Sequence, residues 1–249
     1  MFPLAQPRQQ ALLLAALIAW AIVLFGGFLF GQRNAEGTAR MPAWTRMASS
    51  LTLVVAAWLW YAFTRETSVA GYALLIAVGM TLGFLGDLFL TPVFPITQPV
   101  LAGIATFGLG HVAYLVALLT FANAHGLYAP APRWIALAVW LLIGAAGWYL
   151  VVFRGQKATA LHWAALLYAL LLASLAGVAT GLALQSALFI PLAVGAALFL
   201  LSDLILAGEL FAGLSFPLIG DVIWLTYGPA QALIVYSVAS ALRVAGVIA

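Results

Sequence analysis

Apolar stretches long enough to cross a lipid bilayer follow one another along the whole sequence, with only short polar linkers between them. A transmembrane α-helix needs roughly 20 predominantly apolar residues. Breaks at charged residues, prolines and polar clusters predict eight helices, over 11–30, 48–63, 69–90, 100–121, 134–152, 161–184, 187–208 and 222–246. The predicted fold class is an all-α membrane protein, a bundle of eight transmembrane helices. Residues 1–249 are expected to form a single multi-pass transmembrane domain.

The composition supports this class and excludes others. Of all residues, 66% are hydrophobic and only 6% are charged, whereas about 25% are charged in an ordinary soluble domain. Because the chain contains no cysteine, disulfides, thiolate zinc sites and cysteine nucleophiles are excluded. The nine lysines and arginines lie mostly in predicted loops, where they suit anionic lipid headgroups better than nucleic acid. The membrane bilayer is therefore an expected partner and nucleic acid is not.

Two aspartates interrupt the apolar stretches. Asp87 lies in the phrase Gly-Phe-Leu-Gly-Asp-Leu-Phe-Leu, and Asp203 lies in the similar phrase Leu-Phe-Leu-Leu-Ser-Asp-Leu-Ile-Leu. An aspartate at the centre of a spanning helix costs roughly 2.5–3.5 kcal/mol on insertion scales. Since a carboxyl group at that depth is so costly, both aspartates are candidate functional residues.

The positions of the polar side chains suggest an internal repeat. An even number of helices allows two four-helix halves related by a parallel repeat. Asp87 and Asp203 both lie late in the third helix of their half, and each is followed, after the same number of residues, by a polar side chain in the fourth helix, His111 or Tyr227. Short apolar phrases also recur by chance in so hydrophobic a chain, so duplication and coincidence both fit the pattern.

These polar side chains are predicted to lie in the same half of the membrane. At 1.5 Å per residue, Asp87 and Asp203 lie about 24–27 Å into a core of roughly 30 Å. The following helices run back from that face, which places Tyr227 about 8 Å, Gln231 about 14 Å and His111 about 16 Å deep. The loops on that side carry basic residues, namely Arg33, Arg40, Arg46, Arg154 and Lys157. A carboxyl-lined pocket beneath a basic rim is the expected receptacle for a phospholipid-like molecule.

Each candidate also has a purely structural interpretation. A buried aspartate can tie helices together through hydrogen bonds, His111 can be a satisfied interior side chain, and Tyr227 and Gln231 can be supports. Glu209 and Asp221 lie next to the last loop and are expected to be solvated.

A metal site is a further possibility for the same side chains. Asp87, His111 and Asp203 could form a set of two carboxylates and one histidine, but their spacing matches no compact ligand motif such as His-Glu-x-x-His. We therefore predict no metal and no cofactor. The sequence also lacks the Gly-x-Ser-x-Gly elbow, the Walker loop and the dinucleotide-binding fingerprint.

Four short motifs resemble those of one membrane protein family. They are Leu85-Gly86-Asp87, Gly103-x-x-x-Phe107-x-x-x-His111-x-x-Tyr114, Ser202-Asp203-x-x-Leu206-Ala207 and Tyr227-x-x-Ala230-Gln231. With these motifs, the chain resembles the YhhN/TMEM86 family, whose characterised members are lysoplasmalogenases. One position departs from the family pattern. The family usually has a lysine just before the Leu-Thr run that opens helix two, and this chain has Ser49 and Ser50 there.

The resemblance implies hydrolysis of the vinyl ether bond of a lysophospholipid, giving a fatty aldehyde and a glycerophospho-alcohol. Such chemistry calls for one carboxylic acid that is protonated near neutral pH and one carboxylate, a division of roles that paired carboxyl groups take in other enzymes. Asp87 and Asp203 are expected to fill the two roles, in either order, and His111 is expected to orient water or relay a proton. The expected substrate-binding residues are Tyr227, Gln231, Tyr114 and Ser202.

Two other classes of function fit the same residues. Intramembrane carboxyl and imidazole groups also form proton relays and ion sites, so a proton- or ion-coupled transporter is the main alternative. A non-catalytic lipid-binding protein or scaffold is the second. The expected location is the inner membrane of a bacterial cell, although basic residues are spread too evenly over the two sides to orient the chain.

Overall fold

The computed structural model describes residues 6–91 and 97–247, and within them it contains helices and no strand. Eight helical segments are long and apolar enough to cross a membrane, which confirms the predicted fold class. The loop after the third helix, predicted to lie beside the basic loops, falls partly outside the described residues. The α-helices are α1 Pro7–Phe30, α2 Ala43–Thr64, α3 Ala70–Leu90, α4 Pro99–Ala124, α5 Pro130–Trp148, α6 Ala160–Gln185, α7 Ile190–Ala212, α8 Ile219–Val235 and α9 Val238–Val244.

Prolines and one glycine define several helix ends. Pro7, Pro99 and Pro130 begin α1, α4 and α5, where an N–H group would have no helical partner in any case. Helix α7 ends at Gly213, whose φ of 65° is adopted readily by glycine and rarely by other residues.

Two of the membrane-length segments are interrupted. Helix α5 continues into a π-helical turn, Tyr149–Phe153, and such turns are frequent at functional sites. The last segment, predicted as one helix over 222–246, consists of α8 and the short α9, with Tyr236 and Ser237 between them. Pro229 lies inside α8, where it cannot donate the helical hydrogen bond.

Six helices form a closed ring in the order α2, α3, α4, α6, α7 and α8, and α8 packs back against α2. Helix α1 lies outside this ring against α2 and α8, while α5 lies outside it against α6 and α7. The first and fifth segments are accordingly the least buried of the eight. The neighbour relations of α1–α4 thus largely recur in α5–α8, as two four-helix halves would require, and the duplication itself stays a prediction.

A stripe of small residues on α3 faces the interior of the ring. A Cβ atom on Gly79 would overlap the ring of Tyr114, one on Gly83 would lie 2.8 Å from Gln231 Nε2, and one on Gly86 would overlap the ring of Phe107. Small residues at these positions allow α3 to approach α4 and α8 closely. The same face of α3 carries Asp87, which is 5% exposed.

The loop between α1 and α2, residues 31–42, is tied to the start of α8. Leu218 N–H donates to Gly37 O at 3.0 Å, and Gly220 N–H donates to Thr38 O at 2.9 Å. The carboxylate of Asp221 accepts hydrogen bonds from the backbone N–H groups of residues 40 and 41, at 2.6 and 2.9 Å. Asp221 is only 1% exposed. The expectation that it is solvated is therefore wrong, because it satisfies backbone donors of a loop distant in sequence.

Candidate functional site

A cavity of about 330 Å³ lies between the ring helices and the end of α5, and it reaches the loop between α1 and α2. Asp87 from α3 and Asp203 from α7 both line it. The structure thus brings together the two carboxyl groups that the sequence separates into different halves. Of the other predicted site residues, Tyr227 lines the cavity, whereas His111, Tyr114, Ser202 and Gln231 lie outside its lining.

The carboxylate of Asp87 is held by donors from two other helices. Ser50 Oγ on α2 donates to Asp87 Oδ2 at 2.5 Å, and Tyr227 OH on α8 donates to the same oxygen at 3.0 Å. No described residue donates a hydrogen bond to Asp87 Oδ1. Ser50 is one of the two serines just before the Leu51-Thr52 run, and it gives this carboxyl group a neutral donor.

A second layer of hydrogen bonds fixes Tyr227. Gln231 Nε2 donates to Tyr227 OH at 3.1 Å, and Tyr114 OH donates to Gln231 Oε1 at 3.0 Å. Tyr114 and Gln231 are each 1% exposed. Each donor in this series of hydrogen bonds points towards Asp87. Tyr114 and Gln231 therefore orient the phenol of Tyr227, which contacts the carboxylate, and do not themselves face the cavity.

Asp203 is bonded through both of its oxygen atoms. Tyr168 OH on α6 donates to Asp203 Oδ2. Ser202 Oγ lies 3.2 Å from Asp203 Oδ1 and 2.9 Å from Phe199 O. Since a serine hydroxyl has only one hydrogen to donate, Ser202 serves either the carboxylate or the helix backbone at any moment.

Among the described residues, His111 is linked to the cavity only through its contact with Tyr168. Its Nε2 lies 3.3 Å from Tyr168 OH, and the phenol hydrogen is directed to Asp203. When Asp203 is ionised, the phenol oxygen accepts from His111, which places the hydrogen on Nε2 and leaves Nδ1 as an acceptor. His111 Nδ1 is buried and has no hydrogen-bond partner among the described residues.

Tyr168 and Ser50 are the site residues that the sequence analysis did not select. Depth is the signal that could have indicated Tyr168, because it lies about 12 Å from the start of α6, roughly a third of the way along a membrane-length helix. Ser50 lies inside the bundle because α2 begins at Ala43, earlier than the predicted start at residue 48.

The cationic part of the site is smaller than the predicted basic rim. Arg46, predicted in a loop, lies in the first turn of α2 and lines the cavity. Arg40 does not line it, because its guanidinium donates to the carbonyls of Gly31 and Leu29. The remaining basic residues of the predicted rim are exposed and outside the lining, namely Arg33, Arg154 and Lys157.

The wall of the cavity that α4, α6 and the end of α5 form is mainly apolar. Helices α4 and α6 contribute Ile104, Phe107 and Ala169. Trp148 and Val152, at the end of α5 and in its π-helical turn, also line the cavity and pack with Ala165 in a small hydrophobic cluster. A cavity with carboxyl groups, one cation and a long apolar wall suits an amphiphilic molecule.

Fold and site together define a multi-pass helical membrane protein with two carboxyl groups facing one amphiphilic cavity inside its bundle. The YhhN family model matches residues 41–238. The chain therefore belongs to the YhhN family, and the matched region contains every site residue described above. A search among curated proteins and another among solved structures found no significant match.

Proposed function

We propose that this protein hydrolyses the vinyl ether bond of a lysophospholipid, as a lysoplasmalogenase does. The observation that carries the proposal is that Asp87 and Asp203 line one cavity that also has an apolar wall. The cavity offers the reacting bond two carboxyl groups and offers the alkenyl chain a hydrophobic surface. Family membership supports the same class of reaction.

The reaction needs an acid and a base but no oxidant or reductant. A carboxylic acid protonates the alkene carbon next to the ether carbon, which leaves an oxocarbenium ion. Water adds to this ion and loses a proton to the second carboxylate, so that a hemiacetal forms. The hemiacetal then collapses to a fatty aldehyde and the free hydroxyl of the glycerophospho-alcohol. Overall, one water molecule is consumed and the ether C–O bond is broken.

The remaining polar residues hydrogen-bond to Asp87 or Asp203, or to a residue that does so. Tyr227 and Ser50 hold Asp87, and Tyr168 holds Asp203. Positioned donors of this kind keep a catalytic carboxyl group in one orientation. His111 would position Tyr168 and assist proton movement through its phenol.

Aldehyde release from a purified lysoplasmalogen tests the proposal. Positioned acids and bases contribute about 10²–10⁴-fold to rates, so Asp87→Asn and Asp203→Asn should each lose at least about 100-fold in turnover while folding normally. Glu66→Gln is the matched control, since it makes the same change at an exposed carboxylate beside Arg65, outside the cavity. Near wild-type turnover in either aspartate variant would remove that residue from the mechanism.

The transporter alternative is favoured by one feature, the interruption of α8 close to the site. Broken helices near buried polar groups are typical of coupled transporters, and α8 carries both Pro229 and the break before α9. Purified protein in liposomes separates the two functions. Coupled uptake of protons or ions without loss of lipid would support transport, and release of aldehyde without uptake would support hydrolysis.

A further inference from the structure

Two charged residues of the cavity, Arg46 and Glu209, have no part in the reaction described above. We propose that they form a headgroup subsite in which Arg46 binds the lipid phosphate. Glu209 then selects headgroups that also carry an ammonium group over purely anionic ones. The inference rests on the proposed function for its lipid substrate and adds the two residues that determine headgroup specificity.

Arg46 is placed to receive an anion. It lines the cavity, and its buried Nε has no hydrogen-bond partner among the described residues. The guanidinium lies over the ring of Trp224, 5.9 Å from the ring centroid, which fixes it beside the cavity. A buried guanidinium N–H without an acceptor is costly, and a phosphate oxygen satisfies it in the bidentate geometry that arginine favours.

From the interior of the cavity outwards, its charged side chains come in the order in which a lysophospholipid carries its ether bond, its phosphate and its amine. Ser50, which donates to Asp87, lies one turn beyond Arg46 on α2, an axial distance of about 6 Å. On α7, Glu209 lies about 9 Å from Asp203 along the helix axis, towards the same end of the bundle. From the interior outwards, the cavity therefore presents the two aspartates, then Arg46, then the exposed Glu209. A lysophospholipid presents the ether bond, then the phosphate, then the amine.

The balance of charge explains why the amine matters. Arg46 interacts electrostatically with Asp87, Asp221 and Glu209, so carboxyl groups outnumber the cation around the phosphate position. A headgroup with phosphate alone would meet their repulsion. An ammonium group beside Glu209 removes part of this repulsion and adds an ion pair. Glu209 therefore disfavours anionic headgroups and favours zwitterionic ones.

Binding of lipids that the enzyme cannot cleave tests the subsite. The probes are saturated 1-O-alkyl lipids without a vinyl ether, carrying phosphocholine, phosphate alone, or no headgroup, measured by native mass spectrometry of the purified protein. We expect wild-type protein to bind the phosphocholine lipid most tightly. Arg46→Gln should weaken that binding roughly tenfold or more and leave the alkylglycerol unaffected. Glu209→Gln should weaken binding of the phosphocholine lipid and strengthen binding of the phosphate-only lipid.

Matched variants separate this subsite from general effects of charge and from catalysis. Arg154→Gln removes the same charge from an exposed residue outside the cavity and should change none of the three affinities. Arg46→Lys keeps the charge and should restore part of the phosphocholine binding. Asp203→Asn, which removes a carboxylate that is not among the charges acting on Arg46, should keep this preference while losing turnover, so failure of the hydrolase proposal and failure of the subsite give different results.

Three results would overturn the subsite. The first is a folded Arg46→Gln protein that binds all three lipids as wild type does. The second is a Glu209→Gln protein that discriminates between the two phosphate lipids unchanged. The third is displacement of the phosphocholine lipid by inorganic phosphate but not by soluble glycerophosphocholine, which would indicate a site for free phosphate and not for a headgroup.

Discussion

Tyr168 connects the buried imidazole of His111 to the carboxyl group of Asp203. Its hydroxyl group donates to Asp203 and lies 3.3 Å from His111 Nε2, so the phenol is the only route by which His111 reaches the cavity among the described contacts. This position makes the hydroxyl group of Tyr168, and not the ring, the informative group to remove.

Tyr168→Phe should therefore lower turnover strongly and stability moderately. If Asp203 acts as proposed, loss of a positioned donor beside it should reduce kcat about 10- to 100-fold, with little change in KM because the ring still fills its place. The cost in stability should be roughly 1–3 kcal/mol, because Asp203 and His111 both lose a buried hydrogen-bond partner. Steady-state kinetics and thermal unfolding in detergent measure the two effects.

Tyr128→Phe serves as the control for Tyr168, because Tyr128 is exposed and does not line the cavity. A double-mutant cycle with His111→Asn adds a sharper test. If His111 acts through the phenol, its substitution should cost little once Tyr168 is already Phe. Independent, additive losses would contradict a connection through Tyr168.

The site residues that could be predicted are those whose placement in a membrane costs free energy and is evident from the sequence. An aspartate among apolar residues is conspicuous, so Asp87 and Asp203 stood out and the structure brings them to one cavity. The partners Ser50 and Tyr168 could not be predicted in the same way. Their hydrogen bonds join residues on different helices, and helical periodicity gives the face of a residue but not the helix opposite it.

Helix α3 approaches α4 so closely that its glycines determine the position of the site. A methyl group on Gly79 would overlap the ring of Tyr114, whose hydroxyl supports Gln231 and, through it, Tyr227. Gly79→Ala should destabilise the protein by roughly 1–3 kcal/mol, as overpacking of a well-packed core does. It should also lower turnover, because the displaced tyrosine loosens the donors to Asp87.

Gly71→Ala is the control on the same helix. A Cβ atom at Gly71 would meet no atom within 4 Å, and alanine favours helix more than glycine by roughly 1 kcal/mol. The two variants make the same chemical change in different surroundings. The unfolding temperature in detergent should therefore fall for Gly79→Ala and rise for Gly71→Ala. Equal shifts would mean that the contact between α3 and α4 does not constrain the site.

Errors in the predicted helix boundaries limited the interpretation of the individual helices. The predicted start of helix two, at residue 48, placed Arg46 in a loop, whereas α2 begins at Ala43. The early turns of α2 are more polar than the rest of the helix and pack inside the bundle at Thr45, Ser49 and Ser50. Hydropathy alone underestimates such a segment, because its polar side chains are satisfied within the protein.

The ring of six helices is the feature of the whole molecule that the sequence did not predict. Length and hydropathy predicted eight membrane-length segments, and the structure contains them. Which segments adjoin one another depends on contacts between residues far apart in the chain, such as the return of α8 to α2. The cavity exists because this closure brings α2, α3, α7 and α8 around a common space.

Asp221 stabilises this closure where the loop between α1 and α2 meets α8. Its carboxylate accepts two backbone N–H groups of the loop, and Thr38 and Gly220 beside it line the cavity. Asp221→Asn places an NH₂ group against one of those donors. The variant should lose roughly 1–3 kcal/mol of stability, the cost of a buried donor without an acceptor, and should release the loop from the cavity mouth.

Limited trypsin digestion detects this release, since the loop contains Arg33 and Arg40 as cleavage sites. Cleavage after Arg40 should be faster in Asp221→Asn than in wild type, because the backbone around it is no longer held. Glu36→Gln changes an exposed carboxylate of the same loop and should leave both the cleavage rate and the unfolding temperature unchanged. If Asp221→Asn behaves like that control, the loop is held by other contacts and Asp221 does not maintain the closed ring.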